Sequence, residues 1–224
     1  MSDEQWLAAT WPFVQANLPS GPARVVELGC GTLGGFVPRM RALGHVATGV
    51  DPNAPAEPWY EQIEFEHFPT GQPADVVVAS TSLHHVADLD VVLDRIRSLL
   101  AAAGTVVVVE WAHERFDEPT ARWCFDRLVP ADDDHHSWLH AHRDDWQRSG
   151  QNWDAYFAAW QGDEPLHPGS AIVSGLEARF RTGTVSDVPH FFADLDGITE
   201  SDEQRAIDAG LIRANGIHFV GYVR

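Results

Sequence analysis

The sequence predicts an α/β fold, doubly wound around a parallel sheet, for a chain of 224 residues. Along the first half, apolar segments alternate with amphipathic ones in the order expected of repeated βα units. The segments at 76–79 and 106–109 are apolar throughout, which indicates strands covered by helices on both faces. A chain of this length fits one ordinary domain, and we predict a single domain over 1–224.

The first half supplies five candidate strands. Runs of β-branched and other apolar residues place them at 24–28, 46–50, 63–67, 75–80 and 105–110. Before the last strand, apolar residues recur at spacings of three and four from Leu89 to Leu100. They therefore line one face of a helix, and Gly104 ends that segment.

The second half is organised differently. Residues 111–165 carry six of the nine tryptophans in helical patterns, and we expect a Trp-rich helical cap at about 111–178 over the edge of the sheet. Beyond it the pattern predicts a strand near 180–186 and a final strand over 216–223. Between these strands, 199–210 predicts a helix with Ser201 and Gln204 at capping-box spacing.

The charge balance restricts the chemistry. The formal net charge is -18 at pH 7, and all fifteen basic residues are arginine. Without lysine there is no phosphate-loop lysine and no Schiff-base lysine. Such an acidic chain also repels a phosphate backbone, so we expect no nucleic-acid partner and favour a small-molecule substrate.

Cysteine content and hydropathy bear on the compartment. Two cysteines, Cys30 and Cys124, are too few for a disulfide framework, which favours a cytoplasmic location. No apolar run in the sequence reaches the roughly 18 residues that span a bilayer, so no membrane partner is expected. The sequence leaves the oligomeric state open.

A glycine-rich loop follows the first strand. Gly29, Gly31 and Gly34 form a G-x-G-x-x-G pattern at the start of a helix, where a backbone can approach a ligand closely. Asp51 ends the second strand twenty residues after Gly31, where its carboxylate can accept both hydroxyl hydrogens of a ribose. Together they indicate a nucleoside-containing cofactor. The alternatives are glycines that serve tight packing alone and an Asp51 that caps a helix or turn.

Two features separate a dinucleotide from S-adenosylmethionine. Glu27 lies two residues before Gly29, where a carboxylate repels a pyrophosphate but suits a sulfonium ligand with an ammonium group. The segment Ala74–Trp111 adds an acidic-apolar strand, an "LHHV" turn and "LLAAAGTVVVV". With these motifs, 24–110 resembles the class I S-adenosylmethionine-dependent methyltransferases of small-molecule type. Ala102 and Ala103 replace the customary proline and glycine, which affects turn geometry more than chemistry.

The resemblance implies a Rossmann-like sheet of seven strands, the last of them antiparallel. It also implies roles for residues of this sequence in binding the cofactor. Gly29, Cys30 and Gly31 would contact its methionyl part, which Ser80 and Thr81 would also line. Glu27 would support the loop or reach the ammonium group through water. Asp51 would bind the ribose, Pro52 would lie against the adenine, and Glu66, His67 or Phe68 would flank it.

The acceptor side is less defined by sequence. If the nucleophile needs a base, the candidates in order are His85, His113 and Glu110; the His84–His85 pair is equally suited to shaping its turn. Trp111, His135 and His136 are substrate-pocket candidates because they follow the fifth strand. His136 and His140 have the spacing of zinc ligands on a helix, but polar loop contacts are commoner for such runs and no metal is predicted.

The predicted function is methyl transfer from S-adenosylmethionine to an O, N or C nucleophile of a small molecule. Little acid/base work is obligatory, since the sulfonium is already a good leaving group and in-line positioning can supply up to roughly 7–11 kcal/mol. Two alternatives share the glycine loop and Asp51. They are a nicotinamide-dependent oxidoreductase and a non-catalytic binding protein of methyltransferase fold.

Overall fold

A computed structural model describes residues 3–130 and 137–224 and contains a seven-stranded sheet. In chain order the strands are β1 Arg24–Leu28, β2 Val46–Val50, β3 Tyr60–Glu61, β4 Ala74–Ser80, β5 Leu100–Trp111, β6 Phe180–Val188 and β7 Gly216–Val223. Their order across the sheet is β3-β2-β1-β4-β5-β7-β6. The first five strands run parallel, whereas β7 is antiparallel to both β5 and β6. The predicted α/β sheet with its antiparallel last strand is confirmed.

Eight helices accompany the sheet in the described part of the chain. They are α1 Asp3–Ala16, α2 Val37–Ala42, α3 Leu89–Leu99, α4 Glu118–Phe125, α5 Trp138–Ser149, α6 Trp153–Asp163, α7 Gly169–Arg179 and α8 Glu200–Asp208. Short 3₁₀ turns occur at Phe65–His67, His113–Arg115 and Phe192–Asp194. None of the helices in 3–130 and 137–224 is long and apolar enough to cross a membrane.

The sheet is buried on both faces, as its apolar strands require. Alternate residues of β4 point in opposite directions: Val77 belongs to one core cluster, Val76 and Val78 to the other. The first cluster includes apolar residues of α3 and α7, and the second those of α1 and α2. Helices on both faces leave the carboxyl ends of β1, β2, β4 and β5 together at one edge, the place where open α/β sheets bind ligands.

The third strand is misplaced in the sequence prediction. Residues 63–67 contain the 3₁₀ turn at Phe65–His67, and the strand is the short β3 before it. Phe65 and Phe68, three residues apart, stack in the core with ring centroids 6.2 Å apart. The alternation of apolar and acidic residues in "IEFEH" therefore reflects a turn that buries Phe65, and tertiary packing overrides the strand pattern.

The tryptophan-rich segment packs as an aromatic cluster beside the sheet. Trp111, Phe116, Trp153 and Phe157 form its buried centre, with Phe191 from the chain after β6. The helices α4, α5 and α6 contribute to this cluster, whereas α7 packs on α3 beneath the sheet. The boundary of the helical cap at 178 and the single-domain organisation stay predictions.

The predicted helix over 199–210 is α8, but its capping box differs. Thr199 accepts a hydrogen bond from Asp202 N, and the Asp202 carboxylate accepts one from Thr199 N at 2.9 Å. The box is therefore Thr199 with Asp202, and the choice of Ser201 with Gln204 is wrong. The shorter aspartate replaces the usual glutamate or glutamine at the third helical position.

Candidate active site

The glycine-rich loop joins β1 to α2 and lies against the end of β4. Gly29 has φ +79°, and a Cβ there would lie 2.3 Å from Ser82 Cβ and 2.7 Å from Ser80 O. At Gly31, by contrast, a Cβ would meet nothing within 4 Å. One glycine therefore allows close packing of loop on strand, and the other faces open space.

A cavity of about 410 Å³, here the Asp51 cavity, opens beside this loop. Asp51 lies at the end of β2, where its carboxylate accepts hydrogen bonds from Gly31 N at 3.0 Å and Asn53 N at 2.7 Å. Apolar walls come from Val50, Pro52 and Phe65. A carboxylate between a glycine loop and apolar walls fits a ribose with an attached base. The other described residues that line the cavity are Leu28, Gly29, Glu64, Glu66, Thr81, Ser82, His85 and Val86.

A second cavity, of about 240 Å³, lies on the other side of the glycine loop and is here called the Trp6 cavity. Trp6 and Leu7 of α1 face the loop residues from Gly29 to Leu33 across it. Cys30 and Ser80 line it as well. Burial raises the pKa of the Cys30 thiol, so this cysteine stays protonated and acts as a small spacer.

A third cavity, of about 260 Å³, lies beyond the ends of β4 and β5 and is here called the Trp111 cavity. The indole of Trp111 meets Trp138 edge to face at 5.0 Å and lies parallel to the His190 ring at 5.7 Å. The described lining is completed by Thr81, His84, His85, Ser137, Phe191 and Asp194. Burial and the neighbouring His84 lower the pKa of His190 to about 3. The cavity therefore presents aromatic faces and a neutral imidazole at neutral pH.

Thr81 joins the three cavities. It lines all of them, and His85 lines both the Asp51 and the Trp111 cavity. Thr81 has φ +42°, the one positive value among the described non-glycine residues, and its N–H donates to Val109 O at 2.8 Å. A β-branched residue in this region is strained, and such strain concentrates at functional sites.

One wall of the Trp111 cavity is held by a buried carboxylate of α8. Glu203 accepts hydrogen bonds from His190 N at 2.8 Å and Phe192 N at 2.7 Å. Burial raises the pKa of this carboxyl to about 7. The two hydrogen bonds fix the backbone that carries His190 and Phe191, since a buried carboxylate left without partners is costly.

Glu27 supports the glycine loop from within the protein. It is fully buried, and its carboxylate accepts from Phe36 N at 2.8 and 3.1 Å through its two oxygens. Burial raises the pKa of Glu27 to about 8. Of the two roles expected for it, the structure provides the contacts for loop support.

Replacing Glu27 by glutamine is expected to reduce the pH dependence of stability. The folded pKa of about 8 exceeds the ordinary 4.5, so between these values the unfolded chain binds fewer protons and stability falls as pH rises. For this group the slope is at most about 1.4 kcal/mol per pH unit. Urea unfolding at several pH values in this window measures it. Glu203, whose pKa is also raised, still contributes to the pH dependence of stability, so the slope should become smaller without vanishing. A slope equal to that of the wild type would contradict the assignment to Glu27.

The predicted bases take different positions. His85 is exposed and lines two cavities, whereas His113 is buried, with Gln161 Nε2 at 3.1 Å from its Nδ1. Glu110 is also fully buried, and its carboxylate accepts from Leu83 N and Trp111 N. Neither His113 nor Glu110 is among the described lining residues of the three cavities.

The remaining predicted positions also separate. Glu66 lines the Asp51 cavity, but His67 is exposed and Phe68 is buried in the core, and the described lining contains neither. Sequence analysis missed Phe65, which takes the place beside Asp51, because it assigned this segment to a strand. It also missed Trp138, His190 and Phe191, since no local pattern indicates that 190–191 pack beside β5.

The structure describes only part of the histidine run with zinc spacing, for which no metal is predicted. His135 and His136 lie outside the described residues. His140 Nδ1 accepts from Ser137 N at 3.1 Å, and its Nε2 lies 2.7 Å from Val129 O. Both ring nitrogens of His140 therefore have protein partners at the start of α5. Within 3–130 and 137–224, no group of three or more potential ligands could hold a metal ion.

Comparison with known proteins agrees with this geometry. Residues 6–162 match the model of a family described as a methyltransferase domain. No curated protein matches the sequence. An S-adenosylmethionine-dependent methyltransferase from Mesorhizobium loti has a similar structure, with 17% identity, 96% of this chain and 97% of its own covered, and a TM-score of 0.58.

Two further solved structures are similar and contain S-adenosylhomocysteine. Geranyl diphosphate C-methyltransferase from Streptomyces coelicolor A3(2) is 13% identical, over 97% of this chain and 76% of its own, with a TM-score of 0.57. The N-methyltransferase NodS from Bradyrhizobium japonicum WM9 is 13% identical, over 96% of this chain and 86% of its own, with a TM-score of 0.54. At this identity the likeness concerns the fold.

The family model covers more than half of the chain and includes the glycine loop, Asp51 and the end of β5. The nicotinamide-dependent oxidoreductase alternative is therefore wrong. This chain belongs to the methyltransferase-domain family and is an enzyme whose methyl donor is S-adenosylmethionine.

Proposed function

We propose that the enzyme methylates a small molecule held in the Trp111 cavity. The observation that carries this proposal is the junction at Thr81 and His85, where the Trp111 cavity meets the Asp51 cavity. A donor bound along the glycine loop and an acceptor bound against Trp111 would meet at this junction. Direct transfer needs such an in-line arrangement, and positioning alone can contribute roughly 7–11 kcal/mol.

Residues of the first two cavities would hold the cofactor. Asp51 would accept hydrogen bonds from the ribose hydroxyls, and Pro52 with Phe65 would enclose the adenine. Gly29, Cys30 and Gly31 would lie along the methionyl part, with Ser80 and Thr81 opposite. When bound, the cofactor supplies an electrophilic methyl group on a sulfonium.

Size and lining support a small, flat acceptor. The Trp111 cavity of about 260 Å³ is below the usual range of drug-sized ligand pockets. Its aromatic faces, from Trp111, Trp138 and Phe191, suit a ring better than an extended polymer. The net charge of -18 adds repulsion against nucleic acid. The assignment of His135 and His136 to the substrate pocket stays a prediction. The cytoplasmic location also stays a prediction.

Activity on a set of acceptors tests this function. Purified enzyme with isotopically labelled S-adenosylmethionine is offered phenols, amines and thiols of one or two rings, a peptide mixture and RNA. We expect labelled product among the small molecules. Trp138→Ala is expected to lower that turnover about 10-fold through loss of an aromatic wall, with S-adenosylhomocysteine affinity unchanged in calorimetry. The half-buried Trp123, which is outside the described cavity walls, gives the matched control Trp123→Ala. Product only in the peptide or RNA fraction would contradict the proposal, and so would intact cofactor binding without product from any of the small molecules.

A further inference from the structure

His84 lines the Trp111 cavity and is paired with the buried Glu110, which the sequence analysis named as a candidate base in its own right. We propose that His84, oriented by Glu110, is the general base that removes the proton from a hydroxyl group of the acceptor. This inference rests on the proposed function, since it places the acceptor in the Trp111 cavity. It assigns the acceptor to the class of ring hydroxyl compounds.

Glu110 is fixed in position by three hydrogen-bond donors. Its Oε2 accepts from Leu83 N at 2.8 Å, and its Oε1 accepts from Trp111 N at 2.7 Å. The same Oε1 lies 2.5 Å from His84 Nδ1. The carboxylate is fully buried at the end of β5. The two backbone donors therefore fix the orientation of the Glu110 carboxylate, with Oε1 directed at His84.

The contact with Glu110 determines the proton position on His84. A carboxylate accepts hydrogen bonds, so the Nδ1 that faces it carries the proton. Nε2 of the neutral ring then has a free lone pair, which is the form that can take a proton. The His84 side chain lines the Trp111 cavity although the residue is only 4% exposed. The basic nitrogen belongs to the ring that forms the cavity wall.

Packing holds the His84 ring in this orientation. The ring lies edge-on to Trp111 at 5.6 Å and against His85 at 4.1 Å. The backbone carbonyl of His84 accepts a hydrogen bond from His167 N at 3.0 Å. Other titratable groups around the same cavity are His190, which burial keeps neutral, and Asp194. Among the described groups beside His84, Glu110 is the one whose hydrogen bond would stabilise a positive charge on its ring.

The presence of a base argues for a hydroxyl acceptor. A neutral amine already has a lone pair that can attack a methyl group, whereas a hydroxyl becomes strongly nucleophilic only as its proton leaves. In the proposed step the acceptor oxygen forms a bond to the methyl carbon while the carbon–sulfur bond breaks. The electron pair of that bond stays on sulfur. The hydroxyl proton passes to His84 Nε2, and the imidazolium that results is paired with Glu110.

Nitrogen NMR of protein labelled in its histidine rings tests the His84 tautomer directly. In the complex with S-adenosylhomocysteine at neutral pH, His84 is expected to carry its proton on Nδ1 and none on Nε2. In Glu110→Gln the His84 ring signals should shift, because a neutral amide replaces the charged acceptor. The control is His218→Gln, which removes a histidine stacked on Phe13 at 3.9 Å, outside the described cavity walls. It should leave the His84 signals in place. A neutral His84 with its proton on Nε2 would overturn the proposal.

Transfer to a panel of simple phenols, including 4-nitrophenol and catechol, provides the catalytic arm. Wild-type enzyme is expected to methylate at least one of them at oxygen. His84→Gln should lower kcat about 100-fold and Glu110→Gln about 10-fold, with KM little changed, because general-base catalysis contributes about 10²–10⁴. His218→Gln should retain the activity.

The two proposals fail in different ways. Calorimetry with S-adenosylhomocysteine verifies that each variant still binds the cofactor. Methylation of amines or thiols but of no phenol would overturn the hydroxyl assignment and leave the small-molecule function standing. A His84→Gln enzyme as fast as wild type on a phenol would overturn the base assignment.

Discussion

Replacing Asp51 by alanine is expected to weaken the binding of S-adenosylhomocysteine about 100-fold. The Asp51 carboxylate lines the Asp51 cavity at the end of β2 and already accepts from Gly31 N at 3.0 Å. Two hydrogen bonds from ribose hydroxyls to a charged acceptor contribute about 1.5 kcal/mol or more each. Their loss totals about 3 kcal/mol, which corresponds to about two decades of affinity. Isothermal titration calorimetry measures the change.

One further variant tests the charge of Asp51, and another is the control at a carboxylate outside the cavity. Asp51→Asn keeps an oxygen acceptor but not the charge, and is expected to lose about 10-fold in affinity. Asp75→Ala removes a carboxylate that accepts from Arg24 N at 2.8 Å, at the opposite end of the parallel strands. It should leave cofactor affinity unchanged. Equal affinity of wild type and Asp51→Ala would contradict the ribose assignment.

Replacing Gly29 by alanine is expected to destabilise the fold by about 3 kcal/mol. A side chain at its φ of +79° carries a conformational cost of about 1–2 kcal/mol. The added Cβ would also lie 2.7 Å from the backbone oxygen Ser80 O, which cannot rotate away. Overpacking of this kind costs about 1–3 kcal/mol. Urea unfolding followed by tryptophan fluorescence measures the loss.

Gly44 provides the control for conformation alone. Its φ is +90°, and a Cβ there would meet nothing within 4 Å. Gly44→Ala is therefore expected to lose about 1 kcal/mol, from the backbone alone. If the two alanine variants lose the same stability, contact between the loop and β4 is not what requires glycine at 29.

The parts of the site that follow from sequence are those built by short stretches of chain. The glycine loop and Asp51 directly follow β1 and β2, whose parallel pairing brings Gly31 and Asp51 within hydrogen-bond distance. Glu27 follows the same logic, because it is on β1 and supports the loop directly after that strand. Local pattern and strand order are sufficient for these positions.

The acceptor side depends on contacts that sequence spacing does not encode. The role proposed for His84, which follows β4, depends on Glu110, which is 26 residues away on β5. The sequence analysis placed His85 first among the candidate bases. The local pattern does not show which ring of the His84–His85 pair is exposed and which is turned toward a carboxylate. His190 reaches Trp111 because β7 is antiparallel to both β5 and β6, so that Trp111 and Val188 pair with the same residue, Gly216, at one edge of the sheet.

The hydrogen bonds of Glu203 to the backbone at His190 and Phe192 have a bearing on how this enzyme could diversify. They attach one acceptor wall to α8, whereas the described residues around Asp51 all precede position 87. Under the proposed function, this wall of the acceptor cavity and the residues around Asp51 are thus encoded in separate stretches of the gene, and Thr81 and His85 are the described residues that line both cavities. Substitutions around α8 can reshape the acceptor pocket while the donor half is inherited unchanged.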